Sequence, residues 1–126
     1  MTDKELNYIS AYEENWLKIN NKRYNQSIIV LPNEVLSIEK LSSPDVAQLI
    51  KEIHKERNLE LIIVASKNNI EFTRIAQYKE IISMQIGIEF MKLESGYRTF
   101  NITMSELREA ALIVALNWFW KIVGLH

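Results

Sequence analysis

The residue types best able to do polar chemistry cluster late in the chain. They are Tyr97-Arg98-Thr99-Phe100-Asn101, followed by Glu106 and Arg108. On a helix running from Ser95, Arg98 and Asn101 stand three apart and share a face. A guanidinium beside a carboxamide can grip a carboxylate or phosphate, and a buried Arg98–Glu106 pair would orient loops or hold an anion. The same residues also suit a structural hydrogen-bond network that tethers the helix to a sheet. Structural networks contain such pairs too, so this is the favoured reading.

Other chemistries are excluded by what the chain lacks. It has no cysteine, which removes disulfides, thiolate metal sites and cysteine nucleophiles. Gly87, Gly96 and Gly124 are isolated, so there is neither a phosphate-binding loop nor a dinucleotide fingerprint. The two histidines, His54 and His126, have no further ligands at metal-binding spacing. His54 is expected to end a helix and satisfy its terminal carbonyls. No catalytic residue, metal site or cofactor is therefore expected.

The 15 basic and 16 acidic residues give a net charge of −1, and Lys18 to Arg23 holds only three basic residues among asparagines. So few phosphate contacts bind nucleic acid weakly, and a solvated hairpin turn is the expected role. The apolar stretch Ala110 to Leu116 falls short of the roughly 20 residues a membrane-spanning helix needs. Asn117 and Lys121 interrupt its continuation. Trp118, Phe119 and Trp120 follow it, a triplet suited to a partner surface, to peripheral membrane contact or to the edge of the core. The first residues carry no apolar signal-peptide core, so a cytoplasmic protein is expected.

The elements that position these residues can be read from period and turn chemistry. At 126 residues with 48% hydrophobic content, the chain fits a single domain over residues 1–126. Trp16 to Ile19 and Lys22 to Tyr24 flank Asn20-Asn21, a β-hairpin pattern. Ser27 to Leu31 is a β-branched run stopped by Pro32-Asn33, and Val35 to Ile38 is a further strand. Ser42-Ser43-Pro44-Asp45 opens a helix whose face is Val46, Leu49, Ile50 and Ile53, ending near Arg57-Asn58. Leu59 to Ala65 reads as a strand buried on both faces. A helix from Ile75 to Gln85 and a strand from Ile88 to Leu93 follow, the latter after Gly87. The expected fold is α/β or α+β, a β-rich antiparallel N-terminal part joined to αβ units with a mixed sheet. Local pattern leaves the tail open. Thr103-Met104-Ser105-Glu106 has the form of a capping box that would start a helix over Glu106 to Leu116. The continuously apolar Ala111 to Leu116 suits a central strand equally well.

With the elements in this order, the sequence resembles the domain family that includes the third assembly factor of mitochondrial respiratory complex I. Most bacterial and archaeal members of that family are uncharacterised. The resemblance runs from about Trp16 to Leu116, leaving 117–126 as an aromatic tail. It rests on Lys18-Ile19 through Tyr24, Ser27 to Pro32, and Gly87-Ile88-Glu89. Its strongest block is Arg98-Thr99-Phe100-Asn101 with Glu106, Arg108 and Ala110-Ala111-Leu112-Ile113. The chain departs from bacterial relatives at Ser66-Lys67-Asn68-Asn69, where they often carry a glycine turn. It departs again at Phe72-Thr73-Arg74, where they tend to have prolines. The resemblance implies that the alanine-rich run is a strand, against local propensity. It also implies a non-enzymatic accessory or assembly protein, with complex I subunits or another assembly factor as partner.

Overall fold

The computed structural model describes residues 5–37, 46–67 and 85–116, with side chains in the first helix described from Ile50 onward. The expected helix cap at Ser42 to Asp45, all of the Ile75–Gln85 helix but its last residue, and the Trp118-Phe119-Trp120 segment lie outside these residues.

Three strands form an antiparallel meander: β1 (Ile9–Glu13), β2 (Trp16–Ile19) and β3 (Lys22–Tyr24). The hairpin between β2 and β3 turns on Asn20, whose φ of 57° lies where asparagine is tolerated. β4 (Ile28–Val30) and β5 (Val35–Ser37) begin a second sheet, and α1 (Val46–Glu56) follows. β6 (Leu61–Ser66) and β7 (Gly87–Lys92) lead to α2 (Leu93–Ser105), and β8 (Ala110–Ala115) closes the series.

The second sheet has the order β5-β4-β8-β6-β7. β6 lies parallel to both β7 and β8, while β4 is antiparallel to both β5 and β8. The expected mixed sheet and antiparallel N-terminal part are therefore both present. The alanine-rich run is a strand, buried along its whole length between β4 and β6. Residues 110 to 115 have good helix formers among them. In this position, however, both edges of the strand find ladder partners and both faces find apolar neighbours.

Alternation along β4, β6 and β8 divides the apolar residues between two faces. Leu61, Ile63, Ala65, Leu112 and Val114 join one buried cluster with Tyr97, Phe100 and Met104 of α2. Ile9, Leu17 and Ile19 of the meander belong to the same cluster. Ile29, Ile62, Val64 and Ile113 point to the other face and are also buried. Ile53 of α1 lines a cleft with Ile29 on that side, and Arg57 just beyond α1 pairs with Glu34 of the β4–β5 turn.

α2 sits close to the sheet because the contact is built from small residues. A Cβ added at Gly96 would lie 2.6 Å from the Cβ of Ala65 and 3.5 Å from Leu112. Only a residue without a side chain lets the helix backbone approach β6 so closely.

Candidate functional site

The expected polar cluster lies on α2 and the turn after it, but its members face different partners. Asn101 takes the most structural role. Its Oδ1 accepts from the Ile9 N–H at 2.8 Å, and its Nδ2 donates to the Ile9 carbonyl at 3.0 Å. β1 is an edge strand with a register irregularity between Ile9 and Ala11. The carboxamide therefore does there what a neighbouring strand's peptide would do, satisfying one donor and one acceptor on an open edge. This couples α2 to the meander rather than to the sheet beneath it.

Arg98 does not meet Glu106. It is exposed and pairs with Glu94 one turn back, an i,i+4 contact on the solvent side of α2. Arg98 and Glu106 stand eight positions apart, roughly 12 Å along the helix axis. The expected buried pair is thus replaced by a surface pair, a kind worth about 0.5 kcal/mol or less.

Thr103 to Glu106 ends α2 instead of starting a new helix. Leu107 adopts a φ of 57°, donating its N–H to the Met104 carbonyl at 3.0 Å. The Arg108 N–H reaches the Thr103 carbonyl at 3.2 Å. Together these bonds make a Schellman closure, which usually uses glycine at the left-handed position. The turn sends Arg108 toward β6. Its Nε donates to Glu60 Oε2 at 2.9 Å, while Glu106 Oε1 stands 3.9 Å from a second guanidinium nitrogen. The hydrogen bond with Glu60 is the main reason the Arg108 guanidinium titrates above its ordinary range.

Arg98, Asn101, Glu106 and Arg108 therefore do not converge on one point. The structure assigns them to a surface pair, an edge-strand clamp, a helix C-cap and a cross-loop ion pair. His54 stands in the last turn of α1, and its buried Nδ1 makes no hydrogen bond among the described residues, so that nitrogen does not serve a terminal carbonyl. Among the described residues no three or more His, Cys, Asp or Glu are grouped to hold a metal ion. No described helix is long and apolar enough to cross a membrane.

A cleft that the sequence did not reveal opens at the other end of α2. It has a volume of about 510 Å³ and lies where β6 and β7 end, at Ser66-Lys67 and Lys92. The end of β1 and the turn after it face it through Tyr12, Glu13 and Glu14, and α2 enters it through Leu93, Glu94 and Ser95. In sheets with parallel strands, ligands commonly bind outside the carboxyl ends of those strands. Tyr97 also lines the cleft and is only 1% exposed. Its ring lies 4.9 Å from that of Tyr12, and its buried hydroxyl has no hydrogen-bond partner among the described residues. Burial first, and Tyr12 second, push the ionisation of that hydroxyl upward, so it stays protonated. A lone tyrosine in an apolar-looking helix pattern gives no sequence signal for this, because its partner ring is contributed from 85 residues earlier.

An antiparallel meander bolted through one helix to a mixed five-stranded sheet is the architecture that this site belongs to. Residues 9–115 match the family described as "Protein of unknown function (DUF498/DUF598)", and the chain belongs to it. The match begins at Ile9 rather than Trp16, taking in β1. Solved structures share the fold. A Bordetella parapertussis protein superposes with a TM-score of 0.74 at 24% identity, over 89% of this chain and 97% of that one. An outer membrane protein from Bartonella henselae gives 0.67 at 17% identity, over 90% and 97% of the two chains. A Bordetella pertussis protein described as a Mth938-like domain gives 0.66 at 16% identity, over 100% and 96%. This is the family to which the resemblance pointed, the one that includes the third assembly factor of mitochondrial complex I. No curated protein matches the chain.

Proposed function

We propose that the protein is a non-enzymatic accessory or assembly protein that works through protein–protein contacts in the cytoplasm, with respiratory complex I as its client. The single observation that supports this is membership of a family that also contains a complex I assembly factor. A second consideration agrees with it. The polar residues most suited to chemistry, Asn101 and Arg108 above all, are committed to holding the fold. The docking surface proposed is the aromatic segment Trp118, Phe119 and Trp120, which lies outside the described residues.

The test is capture of the tagged protein from native membranes and cytosol, with bound proteins quantified by mass spectrometry. Enrichment of complex I subunits or of another assembly factor is expected, and a Trp118→Ala/Trp120→Ala variant should lose it. A deletion strain that assembles fully active complex I at the normal rate would overturn the proposal.

A further inference from the structure

Two features of the cleft at the start of α2 point to a ligand independently of each other. The first is the unpartnered Tyr97 hydroxyl. A buried hydroxyl without a hydrogen bond is destabilising, and phenylalanine would fill the same space without that cost. A tyrosine kept there is explained if a bound group supplies the missing partner. The second is the cleft itself, about 510 Å³ in size at the carboxyl ends of two parallel strands. The helix that enters it has Lys92 at its N-cap and no side-chain hydrogen bond capping its first turn. Backbone N–H groups at such a terminus favour a negative charge.

The charges around the cleft restrict what that ligand is. Lys67 and Lys92 supply positive charge, while Glu13, Glu14 and Glu94 supply negative charge. Lys67 already donates to Asn15 Oδ1 at 2.6 Å, and Glu94 is held by Arg98. Three carboxylates against two ammonium groups repel a dianion or polyanion more strongly than a singly charged ligand, so phosphate esters and nucleic acid fit poorly. The rings of Tyr12 and Tyr97 and the Leu93 side chain form an apolar wall that suits a compact hydrocarbon body.

We propose that the cleft binds a small monocarboxylate with an apolar body, held by the Tyr97 hydroxyl and the first-turn amides of α2. Tyr12 packs its ring against that of Tyr97 from the open edge strand β1 and is 37% exposed. Turning of its ring admits the carboxylate. This site is separate from Arg98, Asn101 and Glu106 and does not depend on the proposed assembly role.

The experiment uses the full chain, isotopically labelled, titrated with benzoate and separately with inorganic phosphate. The amides of Leu93, Glu94 and Ser95 are followed by NMR. Benzoate should shift these three amides saturably, and phosphate should leave them in place. Tyr97→Phe should weaken benzoate binding by about tenfold or more, since a hydrogen bond to a charged group is lost. Its urea midpoint should stay level or rise, which separates a lost contact from a damaged fold. Linear shifts spread over surface lysines would overturn the proposal, as would equal benzoate affinity in Tyr97→Phe. Phosphate binding at the same amides would show an anion site of another chemistry and would overturn it equally.

Discussion

The two ends of α2 use polar groups in opposite ways. At the C-terminal end, the chain itself closes the helix. Leu107 and Arg108 return their N–H groups to Met104 and Thr103, and the Arg108 side chain pairs with Glu60. At the N-terminal end, Lys92 gives no side-chain cap, and the Tyr97 hydroxyl one turn in has no partner among the described residues. Asn101 lies between them as a bolt to β1. The comparison teaches that a density of polar residues marks structural commitment here. The ligand site proposed lies instead where a buried polar group is left unsatisfied.

The sharpest way to break this comparison is to remove the bolt. Asn101→Ala leaves the N–H and carbonyl of Ile9 without partners in a partly buried place. It should destabilise the protein by about 2–4 kcal/mol in urea denaturation. Asn101→Asp should lose much of this too, because a carboxylate accepts from the N–H but repels the carbonyl. Gly96→Ala tests how tightly α2 is seated. The added methyl meets Ala65 at 2.6 Å, so a loss of about 1–3 kcal/mol is expected, read from the same transition.

Tyr97 adds a pH dependence whose sign is fixed by its raised ionisation. The folded value lies above the ordinary 10.0, so its contribution is fully present below pH 10. Above pH 10 the unfolded chain releases the proton first, and stability falls by up to about 1.4 kcal/mol per pH unit from this one group. Tyr97→Phe should remove that portion of the alkaline slope.

The smallest effects belong to the C-terminal end. Leu107, 78% exposed, holds a left-handed conformation that glycine adopts without steric cost. Leu107→Gly should therefore stabilise by about 0.5–1 kcal/mol, seen as a higher thermal midpoint. Arg98→Ala should change stability by no more than about 0.5 kcal/mol, because its partner is an exposed neighbour on the same helix.

Much of the frame was legible because local pattern and tertiary role agree. The Asn20-Asn21 turn, the buried run around Ile62-Ile63 and the helix face of Ile50 and Ile53 all meant in the fold what their spacing indicates. The strand over Ala110 to Ala115 was legible only through family resemblance, since alanine and leucine favour a helix in isolation. β1 escaped detection because Ile9 to Glu13 alternates weakly and is interrupted by its irregular register. The same strand is held by Asn101 from 92 residues away. The Thr103-to-Glu106 signal pointed the wrong way because the same residue types also occur at helix ends. The left-handed residue that closes this one is a leucine, which carries no turn signature. The Tyr97 cleft depends on three segments meeting, and no single stretch announces it.

The most direct test is to compare the urea unfolding of Asn101→Ala and Tyr97→Phe at pH 7 against the parent protein. The account predicts a loss of about 2–4 kcal/mol for the first and no loss, or a gain, for the second. If Tyr97→Phe costs as much as Asn101→Ala, the hydroxyl already has a structural partner. The distinction between the two ends of α2 would then fail.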